Sequence, residues 1–334
     1  AATDHVMLLI PKRSVAAYSV SVDTILGAFR ERRRPARFSV WFYDGDRALA
    51  EEALLWAEAS EVDLVMTVGS DATALLSEIY RGPGLIPVVT SASKDPVLMG
   101  QTPAHDRGSG DNFAFTSINL NVETLVPMLR EVFPELSRIW VLYARKNVSA
   151  VETQLRPLID YAAAHPEQGL TIGEIAVENY EEAPEDLARL MPAATAEIEA
   201  SDPERRRSVF WITGSTSVYD HIGLIDRLAG GAPVLAALPD VVRPGSESAA
   251  LSIGVNQSSA VHLAALYALR ILSGDAAPGD LPVGQVSPPD IAINFLKVEE
   301  LGLTLPFSFF EDATFIYDRS GAPARAFGQS VRLD

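Results

Sequence analysis

Short runs of apolar, often β-branched residues alternate along the chain with longer segments whose apolar residues recur at helical spacing. The short runs predict strands and the longer segments predict the helices between them. The predicted strands are 5–10, 38–42, 64–68, 88–90, 138–143, 170–176, 209–213, 234–237 and 251–255. The clearest helical patterns are 48–59, 121–132 and 152–164, with Pro127 and Pro157 as candidate kinks. This alternation predicts an α/β fold with parallel sheets.

The same pattern occurs twice. Residues 65–70 read Val-Met-Thr-Val-Gly-Ser and residues 210–215 read Phe-Trp-Ile-Thr-Gly-Ser. The glycines are 214 − 69 = 145 positions apart, and the prolines that open the next strands are 233 − 87 = 146 apart. Residues 6–13 and 139–146 form a third pair, 133 apart. We therefore expect two similar Rossmann-like lobes with a ligand crevice between them, because ligands bind at the carboxyl ends of parallel strands.

The remaining segments give the expected domain boundaries. Residues 100–112 and 278–289 are rich in Gly and Pro and predict loops. A strand at 290–294 follows, which we interpret as the return of the chain to the first lobe, and 314–321 predicts a hairpin. The expected division is 1–117 with 256–334 in one lobe and 118–255 in the other, joined by a multi-strand hinge.

Composition excludes several classes of protein. A chain of 334 residues with 48% hydrophobic and 21% charged residues can bury more than one core. The net charge of −17 disfavours nucleic-acid binding, and the absence of cysteine excludes disulfides and thiol chemistry. The longest apolar candidate for a membrane span, 260–272, contains His262 and Arg270. The chain begins with Ala1-Ala2, as expected after removal of a signal peptide, which predicts a periplasmic or extracytoplasmic location.

Motifs for catalysis are missing from the sequence. The five histidines are scattered, and Gly82-Pro83-Gly84 lacks the third glycine of a dinucleotide-binding turn. No nucleophile elbow, phosphate loop or metal-binding spacing occurs. We therefore predict no catalytic residues, no metal and no cofactor, and a protein that is not an enzyme.

Small polar residues follow the predicted strands at 64–68 and 209–213, directly before helices. Free amide groups at a helix N-terminus bind carboxylate or phosphate, so Ser70 and Ser215 mark candidate anion sites. The alternative is that both serines are only helix caps. Asp71 could compete for the same amides or meet a ligand ammonium. Asp95 could cap a turn or face the ligand.

The chain resembles the substrate-binding proteins of ABC importers, in the group of tryptophan- and aromatic-amino-acid-type binders with the type I periplasmic binding fold. The resemblance covers about residues 5–310. It rests on the order of several individually weak motifs: 63–67, 95–97, 138–143, 252–255, 271–275, 281–283, 289–294 and 301–306.

The resemblance implies a small polar or zwitterionic ligand, such as an amino acid or aromatic acid, that is bound by hinge closure. It implies a monomer that delivers this ligand to an ABC permease in the membrane. The ligand contacts that it implies are Ser14, Tyr18, Ser19, Thr67, Gly69, Ser70, Ser91, Ser93, Thr116, Ser117, Tyr143, Thr213, Gly214, Ser215 and Asp240.

Three motifs depart from the family pattern. Relatives read Tyr-Asn-Pro, Thr-Asp-Asn and Gly-Val-Asp where this chain has residues 143–145, 213–215 and 254–256. Two acidic positions that could meet an ammonium are missing, which weighs against an ordinary amino-acid ligand. A ligand-sensing receptor module of the same fold is the alternative function, because one fold serves both roles.

Overall fold

The computed structural model describes residues 3–13 and 16–331. The chain divides into two compact units, Ala1–Asn119 with Gln257–Ser287 and Leu120–Asn256 with Pro288–Asp334. We call these the first and the second unit.

The strands, in chain order, are β1 (Asp4–Ile10), β2 (Ala36–Phe42), β3 (Leu64–Val68), β4 (Val88–Ser91), β5 (Phe113–Ala114), β6 (Thr116–Ser117), β7 (Arg138–Ala144), β8 (Thr171–Val177), β9 (Ser208–Ile212), β10 (Val234–Ala236), β11 (Leu251–Gly254), β12 (Gly284–Gln285), β13 (Asp290–Asn294), β14 (Ala313–Tyr317), β15 (Pro323–Ala326) and β16 (Gln329–Ser330). All nine strands predicted by the hydrophobic pattern are present, with ends that agree within two residues.

The α-helices are α1 (Ala16–Glu31), α2 (Arg47–Ala59), α3 (Ser70–Ile79), α4 (Val122–Val132), α5 (Val148–Ala150), α6 (Arg156–Ala164), α7 (Ala183–Ser201), α8 (Thr216–Tyr219), α9 (Ile222–Leu228), α10 (Gln257–Leu272), α11 (Phe295–Glu300) and α12 (Phe307–Asp312). Short 3-10 turns lie at Pro166–Gln168, Pro239–Val241 and Pro278–Asp280, and a π-helical turn, Val151–Leu155, joins α5 to α6.

The predicted helix 152–164 therefore has two geometries. In its first part the Arg156 N–H donates to the Val151 carbonyl, five residues back, which is π geometry. Pro157 follows near the start of α6, where a missing N–H is tolerated. The proline thus marks the start of the α-helical part and does not kink its interior.

The first unit is a parallel sheet with helices on both faces. Its strand order is β2-β1-β3-β4-β5, and every neighbouring pair is parallel. Alternate residues of β1 point to opposite faces, so that Leu8 packs with Ile25 of α1 and Ala264 of α10, whereas Leu9 packs with Leu76 of α3. Burial on both faces explains why β1 and β3 read as continuous apolar runs.

The second unit repeats this plan and extends it. Its parallel strands have the order β8-β7-β9-β10-β11, and its helices also cover both faces. In β7, Val141 packs with Leu129 of α4, and Leu142 packs with Leu187 of α7. Numbered from the first strand of each unit, both sheets have the order 2-1-3-4-5. The paired sequence segments occupy β1 and β7, β3 and β9, and β4 and β10, which confirms the predicted duplication.

The C-terminal region belongs to a different unit from the one expected. The sequence assigned 256–334 to the first lobe, but β13 pairs antiparallel with β11, and β14, β15 and β16 continue the second sheet. Only Gln257–Ser287 lies in the first unit, where β12 pairs with β6. The hydrophobic pattern identified the strand at Asp290–Asn294 but not its partner. That partner is β11, which is formed by a segment far away in the sequence. The predicted hairpin at 314–321 is present as β14 and β15.

Gly254 tests the packing at the end of β11. A Cβ at Gly254 would lie 2.0 Å from the Ala237 carbonyl oxygen, a backbone atom that cannot rotate away. We expect Gly254→Ala to lower the free energy of unfolding by about 2 kcal/mol or more. Gly27→Ala is the matched control, because nothing lies within 4 Å of a Cβ added at Gly27 in α1. That substitution should add ~0.5–1 kcal/mol. Urea denaturation followed by circular dichroism measures both, and equal effects would contradict the close contact at Gly254.

Candidate functional site

The strand order places the candidate site in each unit. In a 2-1-3-4-5 sheet the chain turns to opposite sides after the first and third strands, and ligands bind at the carboxyl ends of the strands at this switch point. The point lies between β1 and β3 in the first unit and between β7 and β9 in the second. Most of the predicted contact residues follow these strands.

The turn from β3 to α3 requires a glycine. Gly69 has φ +97, and its N–H donates to the Ser91 carbonyl at 2.9 Å. A Cβ at this position would lie 3.1 Å from the ring and the hydroxyl of Tyr18. Tyr18 of α1 therefore covers the backbone of this turn.

Thr67 and Ser91 are fully buried, and their hydroxyls bond within the unit. The Thr67 hydroxyl lies 2.8 Å from that of Thr73, and the Ser91 hydroxyl donates to the Thr67 carbonyl at 2.7 Å. These bonds hold the ends of β3 and β4 together. The two side chains shape the site through the backbone that they fix.

Thr116 and Ser117 of β6 are also buried and engaged. The Thr116 hydroxyl donates to the Thr90 carbonyl at 2.5 Å, and the Thr116 N–H donates to the Thr90 hydroxyl at 2.9 Å. The Ser117 hydroxyl accepts from the Asn119 N–H at 3.1 Å. These bonds fix β6 beside the end of β4.

Three predicted residues belong to the segment after β1. Ser14 lies outside the described residues. Tyr18 and Ser19 line a pocket of about 290 Å³ between α1 and β2. The side chains that complete this pocket are mostly apolar: Ile10, Arg13, Val22, Asp23, Leu26, Val40 and Phe42.

Ser70 links the turn after β3 to the turn after β4. Ser70 is the first residue of α3, where it makes no capping bond, and its hydroxyl accepts from the Lys94 N–H at 3.1 Å. Ser93 is 2% exposed, and its carbonyl accepts from the Ile118 N–H at 2.9 Å. The interpretation of Ser70 as a helix cap is therefore wrong.

Lys94 is a residue that the sequence analysis missed. It is 8% exposed, and burial lowers its pKa to about 8, so that it stays mostly protonated at neutral pH. Within residues 3–13 and 16–331 no carboxylate forms an ion pair with it. The one available signal is a basic residue four positions after the predicted strand 88–90, but lysines are usually exposed, so the sequence gives no reason to expect burial.

The neighbouring Asp95 does not neutralise Lys94, because it is engaged elsewhere. One Asp95 carboxylate oxygen lies 2.7 Å from His105 Nε2, and the other accepts from the Val97 and Leu98 N–H groups. Asp95 is 1% exposed. Of the two roles that the sequence left open, the structure shows that of a turn cap.

In the second unit, Thr213 and Ser215 are buried at the end of β9. The Thr213 hydroxyl donates to the Leu142 carbonyl at 2.8 Å and lies 3.1 Å from the Ser215 hydroxyl. The Ser215 hydroxyl also accepts from Asn147 Nδ2 at 3.2 Å. Ser215 makes no capping bond to α8, a helix of four residues. Ser215 thus occupies the N-cap position of α8, but its side chain does not make the capping bond that was the alternative left open by the sequence.

The Gly214 amide has an internal partner. Its N–H donates to Gln154 Oε1 at 2.8 Å, and Gln154 is 7% exposed in the π-helical turn. The sequence left open that an anion binds at this amide. Such an anion would first have to displace the Gln154 side chain. Neither Gln154 nor Asn147 was predicted, because a helical pattern identifies a buried face but not a π-helical register.

Tyr143 and Asp240 differ in their surroundings. The Tyr143 hydroxyl donates to Glu174 Oε1 at 2.7 Å, and burial together with this carboxylate raises the pKa of Tyr143 to about 12. Asp240 lies exposed in a 3-10 turn. Burial and then the Asp240 charge raise the pKa of Tyr317, so these two side chains are neighbours.

The described residues contain no group of three or more His, Cys, Asp and Glu side chains that could hold a metal ion. Within the same residues, no helix is both long enough and apolar enough to cross a membrane.

Comparison with known proteins identifies the family. The family model for ABC transporter substrate binding protein matches residues 52–315. No functionally curated protein matches the chain.

Three solved structures share the fold. A conserved domain protein from Vibrio cholerae is 21% identical, with a TM-score of 0.67 and coverage of 94% of this chain and 100% of that one. An ABC domain from Streptococcus pneumonia in complex with L-Trp is 17% identical, with a TM-score of 0.68 and coverage of 94% and 100%. A ligand-free, open substrate-binding protein with adhesive properties from Clostridium difficile is 17% identical, with a TM-score of 0.69 and coverage of 93% and 98%.

These similarities confirm the predicted α/β fold as that of type I periplasmic binding proteins. Proteins of this family and fold bind substrates and are not enzymes. The match spans well over half of the 334 residues. The chain therefore belongs to the ABC transporter substrate-binding protein family.

Proposed function

We propose that this protein is the extracytoplasmic solute-binding component of a bacterial ABC importer and delivers a small polar or zwitterionic solute to a membrane permease. The family match over residues 52–315 carries the proposal. The L-Trp bound to the Streptococcus protein makes aromatic amino acids and aromatic acids the first compounds to test.

The proposed ligand contacts are the residues that follow the parallel strands in the two units. Ser93 and Tyr18 would contact the solute in the first unit, and Asp240 would do so in the second. The buried hydroxyls of Thr67, Ser91, Thr116, Ser117, Thr213 and Ser215 would act by fixing the backbone around it. Closure about the solute belongs to the proposal and requires that the closed state bind the solute more tightly than the open state does.

A ligand screen tests the proposal. Purified protein would be heated with amino acids, aromatic acids, nucleosides and sugars, and compounds released on denaturation would be identified by mass spectrometry. A compound present at about 1,000 times its dissociation constant adds ~4 kcal/mol, so we expect at least one to raise the Tm by several degrees. If no compound changes the Tm and none is released, the proposal of a solute-binding function fails.

Transport is tested separately. Deletion of the gene should abolish cellular uptake of the solute that the screen identifies, and a plasmid copy should restore it. Unchanged uptake together with tight binding would contradict the importer role and support the sensor alternative.

Gly69 tests whether the turn after β3 contributes to binding. Gly69→Ala would strain a residue at φ +97 and push Tyr18 away, because the new Cβ would lie 3.1 Å from it. We expect this variant to lose most of the ligand-induced rise in Tm. Gly84→Ala is the matched control, since Gly84 also has a positive φ, +75, but nothing lies within 4 Å. Each substitution should cost roughly 1–2 kcal/mol of stability from backbone strain. A full ligand response in Gly69→Ala would remove this turn from the proposed site.

A further inference from the structure

A π-helical turn lies at the switch point of the second sheet. The turn Val151–Leu155 follows β7 and precedes α6, and it is closed by the bond from the Arg156 N–H to the Val151 carbonyl. Turns of this kind are rare and occur frequently at functional sites. Ligands of parallel sheets bind where the chain leaves neighbouring strands to opposite sides, which in this unit is after β7 and β9. The π-helical turn therefore lies where a sheet of this order binds its ligands.

The π geometry buries three consecutive residues, Thr153, Gln154 and Leu155. In a regular α-helix three residues in a row span about 200° of the circumference, so they rarely share one buried face. The wider turn allows Gln154, which is 7% exposed, to reach the turn after β9. There the Gly214 N–H donates to Gln154 Oε1 at 2.8 Å. Gln154 thus joins the two segments between which the switch point lies.

The contact with Gly214 determines how the Gln154 amide is oriented. An N–H group requires an acceptor, so it faces the amide oxygen and not the amide nitrogen. The Gln154 Nε2 group keeps both of its N–H donors as a result. It is not sealed from solvent, and among the described residues it has no acceptor. A side chain that is otherwise buried therefore presents two hydrogen-bond donors at the switch point.

The polar groups beside Gln154 are already engaged with one another. The Ala150 N–H donates to Asn147 Oδ1 at 3.1 Å, so Asn147 Nδ2 is the group that donates to the Ser215 hydroxyl at 3.2 Å. The Thr213 hydroxyl gives its one proton to the Leu142 carbonyl at 2.8 Å, so Ser215 supplies the proton for the 3.1 Å contact between the two hydroxyls. The donors of this group are therefore used within the unit.

We propose that the Gln154 Nε2 group donates to an oxygen atom of the solute, such as a carbonyl or hydroxyl oxygen. This inference rests on the proposed solute-binding function and names a residue that sets its specificity in the second unit. An N–H donor complements an oxygen acceptor, whereas an ammonium group has only donors and forms no hydrogen bond with Nε2. Gln154 thus selects solutes that carry an oxygen acceptor at this position.

Replacement of Gln154 by Glu separates the donor from the contact with Gly214. The carboxylate still offers an oxygen to the Gly214 N–H, but it has no N–H of its own and repels an oxygen acceptor. We expect Gln154→Glu to keep the cooperative melt of wild type and to bind a solute roughly tenfold more weakly or worse in calorimetry. If Gln154 served only to hold the turn at Gly214, this variant would bind like wild type.

A second variant and a control complete the set. Gln154→Met removes both the donor and the acceptor, so it should weaken binding to a similar extent. Without solute it should also have a lower Tm than wild type, because the Gly214 N–H loses its acceptor. Gln329→Glu makes the same change of charge at an exposed residue of β16 and should bind like wild type.

The probes are L-tryptophan, L-tryptophanamide, uridine, D-glucose and tryptamine. Tryptamine has the ring and the ammonium group of L-tryptophanamide but lacks the carbonyl oxygen, and the other four probes all carry oxygen acceptors. We expect at least one of those four to raise the Tm of the wild-type protein and to lose affinity in Gln154→Glu. Tryptamine should bind wild type roughly tenfold more weakly than the tightest of them, or worse. The same variants are applied to any other compound that the wider screen identifies.

The outcomes separate the two proposals. If Gln154→Glu binds the tightest compound as well as wild type does, or if tryptamine binds as tightly as the oxygen-bearing probes, the role of Gln154 is wrong and the solute-binding function stands. The tryptamine comparison uses only the wild-type protein, so it does not depend on the folding of a variant. If no probe and no compound of the wider screen binds to wild type, both proposals fail.

Discussion

Burial of parallel strands on both faces determines where polar chemistry can lie in this protein. Helices cover each sheet on both sides, so the interior residues of β1, β3, β7 and β9 have to be apolar. Polar groups are then concentrated at the ends of the strands and in the residues that follow them. The carboxyl ends of parallel strands lie at one edge, so these residues are gathered there without any special arrangement. The duplicated 2-1-3-4-5 order gives the chain two such edges.

Most polar side chains at these edges are already bonded within their own unit. Ser91 links β4 to β3, and Thr213 links β9 to β7. Gln154 bonds the backbone of the turn after β9. A buried hydroxyl without a partner is costly, and these bonds remove that cost while they make the turns rigid. A rigid site loses little entropy when a ligand binds, which suits a protein whose family binds substrates and does not transform them.

The first unit differs from the second in its electrostatics. In the first unit the buried Lys94 forms no ion pair among the described residues, and the nearby Asp95 carboxylate accepts hydrogen bonds from its own turn and lies 2.7 Å from His105 Nε2. In the second unit the corresponding strand ends carry hydroxyl and amide groups, and Asp240 is exposed nearby. The two halves thus share a backbone plan while their side chains have diverged.

The fold class, the duplication and the positions of the strands could be predicted from the sequence, because the apolar period of strands and helices is a local property of the chain. The turns after β3 and β9 could be located in the same way, and Gly69 is required there by a positive φ. Three other features became visible only in the folded chain: β13 pairs with β11, the Ser70 and Ser215 hydroxyls make no capping bond, and Lys94 is buried with no ion pair among the described residues. These features depend on segments far apart in the chain. The contacts between distant segments determine how strands pair, which groups form hydrogen bonds and whether a single lysine is exposed. No local sequence pattern encodes these contacts.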